Sequence, residues 1–217
     1  SFTYATPTIL YSHLEKYPQG LATKINFSEV IESYANQPGY PLVTITRNYS
    51  TNRIEITQER FYQNPDYAYL NDSRWWIPLS LASKSTLEQT AFGEIWLKKA
   101  DKKIIIYTAI DNKEWIICDL DKAGYYRTNY DQHNWHLLSE YLVDEWPVEI
   151  GPVARATLVD DAFNLARGGY INYSIPFNLI RYLANETAYE PWLAATNSFN
   201  FLSKMLQELP VLKDNLK

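Results

Sequence analysis

The spacing of apolar residues changes twice along these 217 residues, and the two changes divide the chain into three segments. Over residues 1–41 the period is helical. Thr6-Pro7 reads as an N-cap followed by proline in the first turn, ahead of Ile9, Leu10 and Leu14. Asn26-Phe-Ser-Glu-Val-Ile31 opens a second short helix, which Gln37-Pro-Gly39 stops. From Leu42 the period becomes two: Val43, Ile45, Ile54 and Ile56 alternate with Thr44, Thr46, Glu55 and Thr57, the pattern of half-buried strands. Residues 48–52 supply the hairpin turn, and further strands are predicted at 75–82, 94–97, 103–109, 115–120 and 125–129. Polar turn residues separate these runs, so residues 42–130 read as an antiparallel β-sandwich of about seven strands.

After Asp131 the period returns to 3.6. Trp135, Leu138 and Leu142 mark one helix face, and Val153, Leu158, Val159, Ala162, Phe163 and Ala166 the next, ended by Gly168-Gly169. Helices over 176–183 and 191–209 complete four, so residues 131–217 predict an α-helical array. The class is α+β and multidomain: a short helical segment, a sandwich, then helices.

Composition agrees with packed sheets: there are 7 Trp, 18 Tyr and only 7 Gly. The net charge of −5, with basic residues scattered, excludes a nucleic-acid footprint. No apolar run approaches the roughly 20 residues of a bilayer span. The start lacks Met and the pattern of a signal peptide, which favours a fragment or processed product. Cys118, alone among Trp115, Ile116, Ile117 and Leu120, reads as a buried and inert thiol.

Several motifs, taken in order, resemble the zinc-dependent aminopeptidases of the gluzincin type, the aminopeptidase N-like family. They are Ser33-Tyr-Ala-Asn-Gln-Pro-Gly-Tyr-Pro-Leu-Val-Thr-Ile-Thr-Arg47, Ile56-Thr-Gln-Glu-Arg-Phe61, Trp76-Ile-Pro-Leu79 and Gly124-Tyr-Tyr-Arg-Thr-Asn-Tyr-Asp131 with Asn134-Trp135. Arg155-Ala-Thr-Leu-Val-Asp-Asp-Ala-Phe-Asn-Leu-Ala-Arg167 and Tyr182-Leu-Ala-Asn-Glu-Thr-Ala-Tyr-Glu-Pro-Trp192 extend the likeness. The family usually has Trp where Tyr34 stands. The resemblance implies that residues 1–41 are the helical tail of a catalytic domain, 42–130 the sandwich, and 131–217 the first helices of a C-terminal helical domain.

The family's chemistry requires His-Glu-x-x-His, whose two histidines bind Zn²⁺ while the Glu activates the metal's water. This chain has His13, His133 and His136 only, so the motif is absent. The amine-capturing Gly-x-Met-Glu-Asn is absent too, the one methionine being Met205. No catalytic, cofactor or metal residue of the family therefore transfers to any position here, and zinc belongs to the parent protein. His133 and His136 read as a solvated helix turn, and Asp160-Asp161 as surface charge or a local ion pair with Arg155. Arg127 reads as the anchor of a buried network where sandwich meets helices, and Tyr189 and Trp192 as rings packed between helices. No Gly-x-Ser-x-Gly elbow surrounds Ser12, Ser73 or Ser139.

Five N-glycosylation acceptors occur, at Asn26, Asn48, Asn71, Asn172 and Asn185, and they favour a parent that is extracellular or faces outward from the plasma membrane. Two functions follow. The chain is the scaffold of a peptidase that removes N-terminal residues from peptides, its partners being the parent's catalytic and remaining C-terminal domains. Alternatively, it is a stand-alone, catalytically inactive extracellular binding or receptor module.

Overall fold

The computed structural model describes residues 6–14, 16, 25–64, 66, 73–89, 95–146 and 148–207. They form two compact units, one of residues 1–62 and 66–131, the other of 63–65 and 132–217.

The first unit opens with helices α1, Pro7–Leu14, and α2, Phe27–Ala35. The Thr6 hydroxyl accepts from Ile9 N–H at 3.4 Å, and Asn26 caps α2 by accepting from Glu29 N–H at 3.3 Å. Gly39, at φ 87°, turns the chain out of α2 into β1, Pro41–Asn48. β1 pairs antiparallel with β2, Arg53–Arg60, from Pro41 opposite Arg60 to Asn48 opposite Arg53. The hairpin forms because the Asn48 side chain accepts from Ser50 and Thr51 N–H, both at 3.1 Å, while Asn52 takes a left-handed φ of 53°.

Among the described residues six more strands follow: β3 Ile77–Leu79, β4 Leu81–Ser83, β5 Ile95–Leu97, β6 Lys103–Tyr107, β7 Ile116–Cys118 and β8 Arg127–Tyr130. The large sheet has the order β6-β2-β1-β8, and β3-β5 and β4-β7 form antiparallel pairs. Residues 75–82, read as one strand, instead break at Ser80: β3 and β4 join different partners, and Ser80 accepts from Asp119 N–H. β8 also runs parallel to β1, a direction that the period-two pattern does not encode. The sheets share one core, including Leu42, Ile45, Ile54, Ile56, Ile77, Leu79, Leu97 and Ile117. Buried Gln58 stitches it, accepting from Trp75 N–H at 2.8 Å and donating to the Trp75 and Lys98 carbonyls at 3.1 and 3.0 Å.

The second unit is helical: α3 Gln132–Asp144, α4 Pro152–Arg167, α5 Ser174–Leu179 running into a 3₁₀ turn at Ile180–Asn185, and α6 Tyr189–Gln207. Helix α4 starts at Pro152 after Gly151 and ends in a Schellman motif, with Gly169 N–H donating to Ala166 and Tyr170 N–H to Leu165. Trp135, Leu138, Leu142, Leu158, Val159, Ala162, Leu165, Leu179 and Ala195 supply its core.

Candidate functional site

His136 Nε2 lies 3.2 Å from Glu140 Oε1 on an exposed face of α3, with the His133 ring 6.5 Å from that of His136. Among the described residues no three His, Cys, Asp or Glu side chains gather so as to hold a metal ion. Ser12 and Ser139 donate to carbonyls one turn back, of Ile9 and Trp135, at 2.9 and 2.8 Å. Cys118 is wholly buried, and burial pushes its thiol up to about 11, which keeps it protonated and unreactive at neutral pH.

Arg127 sits half-buried among aromatic rings of its own unit. Its Nε donates to the Tyr40 hydroxyl at 3.1 Å, and its guanidinium lies 5.3 Å from the Phe61 ring. Tyr40 stacks on Phe61 at 5.5 Å, and Tyr125 bridges Tyr40 to Tyr34. The smaller ring at Tyr34 is therefore accommodated by an edge-on contact with Tyr125.

Beside the expectation of surface charge or a local ion pair at Asp160-Asp161, Arg155 makes a longer-range pairing. Arg155, buried in α4, grips the carboxylate of Glu186 with two donors, Nε to Oε2 at 2.7 Å and Nη2 to Oε1 at 2.8 Å. A further donor goes to the Ile150 carbonyl, and Trp146 lies 5.1 Å from the guanidinium while stacking on Tyr182. Glu186 Oε1 also accepts from the N–H groups of Thr187 and Ala188 just ahead of α6. Burial alone would raise the Glu186 carboxyl, but the Arg155 hydrogen bond, the Ala188 N–H, the Arg155 charge and the Thr187 N–H together hold it below the ordinary carboxylate range. Asp161 is buried rather than a surface charge. At five and six residues from Arg155, neither aspartate has the three- or four-residue spacing that brings helix side chains together, and that spacing was the available warning.

Tyr189 is 70% exposed and Trp192 44%, so neither ring is packed between helices as expected. In the first turn of α6, Trp192 leans back over the preceding segment and donates its indole N–H to the Glu186 carbonyl at 3.1 Å.

Two clefts remain. One, of about 470 Å³ in the first unit, is walled by Glu29 and Glu32 of α2 with its C-cap Asn36, and by Trp76, Lys98 and Lys99. The second, of about 170 Å³, lies between α4 and α6, where Arg167 covers the Phe201 ring at 3.7 Å. Of the acceptor asparagines, Asn26, Asn48, Asn172 and Asn185 are exposed, and Asn71 lies outside the described residues. Among the described residues no helix is long and apolar enough to cross a membrane.

Residues 115–217 match the ERAP1-like C-terminal domain family. The chain is 36% identical over 197 residues to the thyrotropin-releasing hormone-degrading ectoenzyme of Mus musculus, a match covering 85% of this chain and 18% of that protein. It is 34% identical to aminopeptidase N of Plutella xylostella over 93% of its length and 22% of the relative's. It is 30% identical to aminopeptidase N of Rattus norvegicus, again over 93% of its length and 20% of the relative's. The chain thus spans about a fifth of the length of these curated relatives.

Proposed function

The chain belongs to the aminopeptidase N-like family, and from that premise we propose that it is the non-catalytic scaffold of a zinc aminopeptidase that removes N-terminal residues from peptides. One observation carries the reading. The chain aligns almost end to end with a fifth of known aminopeptidases while its sequence lacks the family's zinc-binding and amine-capturing motifs. The described residues do not gather to fit zinc and the sequence holds no His-Glu-x-x-His, so the metal would be held by a helix outside these 217 positions.

In this reading residues 1–41 close the catalytic domain, 42–130 form a rigid spacer, and 131–217 begin the helical domain. Rigidity is what these contacts supply: Gln58 ties a loop to the large sheet, Arg47 in β1 does the same by donating to the Ile110 carbonyl at 2.7 Å, and Glu186 locks α4 to the start of α6. An active centre carried by neighbouring domains requires such fixed supports, because small misplacements of reacting groups are costly. The parent's outward-facing or extracellular location is supported by similarity to the thyrotropin-releasing hormone-degrading ectoenzyme and by the exposed acceptors Asn48, Asn172 and Asn185.

The test compares the chain alone with its full reading frame on fluorogenic aminoacyl substrates, alongside zinc analysis. Activity and one tightly held zinc are expected for the whole protein and neither for the chain. Turnover by the chain alone that a chelator abolishes would overturn the scaffold reading. A full reading frame that lacks His-Glu-x-x-His would favour the inactive receptor module instead.

A further inference from the structure

We propose that Asn26 carries an N-linked glycan whose first sugars lie along α2 and seat on Trp76 in the cleft of about 470 Å³. The inference rests on the extracellular reading above. Asn26 is exposed within Asn26-Phe27-Ser28, and its Nδ2 is 3.0 Å from Glu29 Oε1, a carboxylate that forms part of the cleft wall. Asn26, Glu29, Ser33 and Asn36 fall at intervals of three and four residues, so they form one face of α2. That face runs from the acceptor to Trp76, whose backbone N–H is pinned to Ser33 Oγ at 3.2 Å, a distance along the helix of about 10 Å.

The cleft has the chemistry of a pyranose seat. The indole of Trp76, half-buried and braced edge-on by Trp96, offers a flat apolar face. Glu32, Asn36 and Lys99 supply hydroxyl partners in the lining, and the Lys98 ammonium lies over the Trp76 ring, 5.8 Å from its centroid. A sugar tethered about two helical turns away needs little intrinsic affinity, because its effective concentration at the cleft is on the order of millimolar. The capping role of Asn26 survives the modification. Attachment forms a bond from Nδ2 to the anomeric carbon of an oligosaccharide donor. The carbon's bond to the oxygen of a polyprenyl diphosphate breaks, the diphosphate leaves with the electron pair, and one Nδ2 proton is lost. Oδ1, which accepts from Glu29 N–H, takes no part in that bond, and one Nδ2 proton remains to donate.

The experiment expresses the full reading frame in secretory eukaryotic cells and maps glycans by peptide mass. Occupied Asn26 is expected, and Ser28→Ala removes that glycan while leaving the cap residue in place. Glycans at Asn48, Asn172 or Asn185 with none at Asn26 overturn this inference alone, whereas no glycan at any acceptor overturns the extracellular reading itself. The seat is read by native endoglycosidase digestion. Release from Asn26 should be slower than from Asn48 by a factor on the order of ten, the weight of one well-seated contact, and Trp76→Leu should abolish that protection. If Trp76→Leu does not fold, acrylamide quenching of Ser28→Ala decides: greater indole quenching than in the glycosylated protein supports the seat, and equal quenching overturns it.

Discussion

Two buried arginines, one in each unit, solve the same problem with opposite chemistry. Arg47 in β1 spends its guanidinium on main-chain carbonyls, those of Glu114, Ile110 and Asp111, each at 2.7 Å, with the Tyr49 ring 4.9 Å away. Arg155 in α4 spends two donors on a carboxylate instead. The sheet unit thus fastens a loop by neutral acceptors that never titrate. The helical unit fastens its segments through Glu186, an acceptor that does. The units should therefore differ in how they answer truncation and acid.

The largest difference should come from Glu186→Ala. It leaves Arg155 buried without its counter-charge and frees the Thr187 and Ala188 N–H groups, so the helical unit should lose about 3–5 kcal/mol. Chemical denaturation followed by hydrogen exchange would locate the loss in residues 132–207. A loss spread equally over the sheet unit would break the comparison.

Acid should separate the units next. The folded-state pKa of Glu186 lies below its unfolded value, so its contribution is complete above about pH 4.3 and is lost as pH falls through the depressed folded value. The helical unit should destabilise on that descent, and Glu186→Gln should flatten the dependence. An unchanged acid profile in the glutamine variant would mean that another carboxylate controls it.

Arg47→Met should have a smaller effect. It removes charged donors from three loop carbonyls and should cost about 2–3 kcal/mol in the sheet unit, equally at neutral and mildly acid pH. Denaturation midpoints at the two pH values would check this, and a marked pH dependence would blur the contrast with Arg155.

What the sequence disclosed follows the same division between local and distant. The turns at Asn48 and Gly39, the helix opening at Asn26, the stop at Gly168-Gly169 and the switch of period at Leu42 and Asp131 are all set within a few residues, and the structure reproduces them. The break at Ser80 was hidden because each half of 75–82 alternates correctly on its own, and only the partners β5 and β7 separate them. The parallel pairing of β1 with β8 joins residues more than 80 positions apart. Arg155 and Glu186 lie 31 positions apart, and a local reading of charge reached only to Asp160-Asp161. The cleft at Trp76 likewise combines α2 with residues from two later loops, which no single motif encodes.

The smallest expected effect concerns how each unit takes the left-handed turns that it needs. In the sheet unit Asp119, at φ 55°, accepts from Ala123 and Gly124 N–H at 3.0 and 2.9 Å, so its side chain compensates the strained backbone. In the helical unit Gly169, at φ 76°, has no side chain to strain and simply ends α4. Gly169→Ala should therefore cost about 1 kcal/mol, and Gly169→Asn clearly less, because asparagine tolerates this region better. Urea midpoints for the two variants would rank them. Equal losses would show that the Schellman hydrogen bonds, rather than the backbone angle, set the end of the helix.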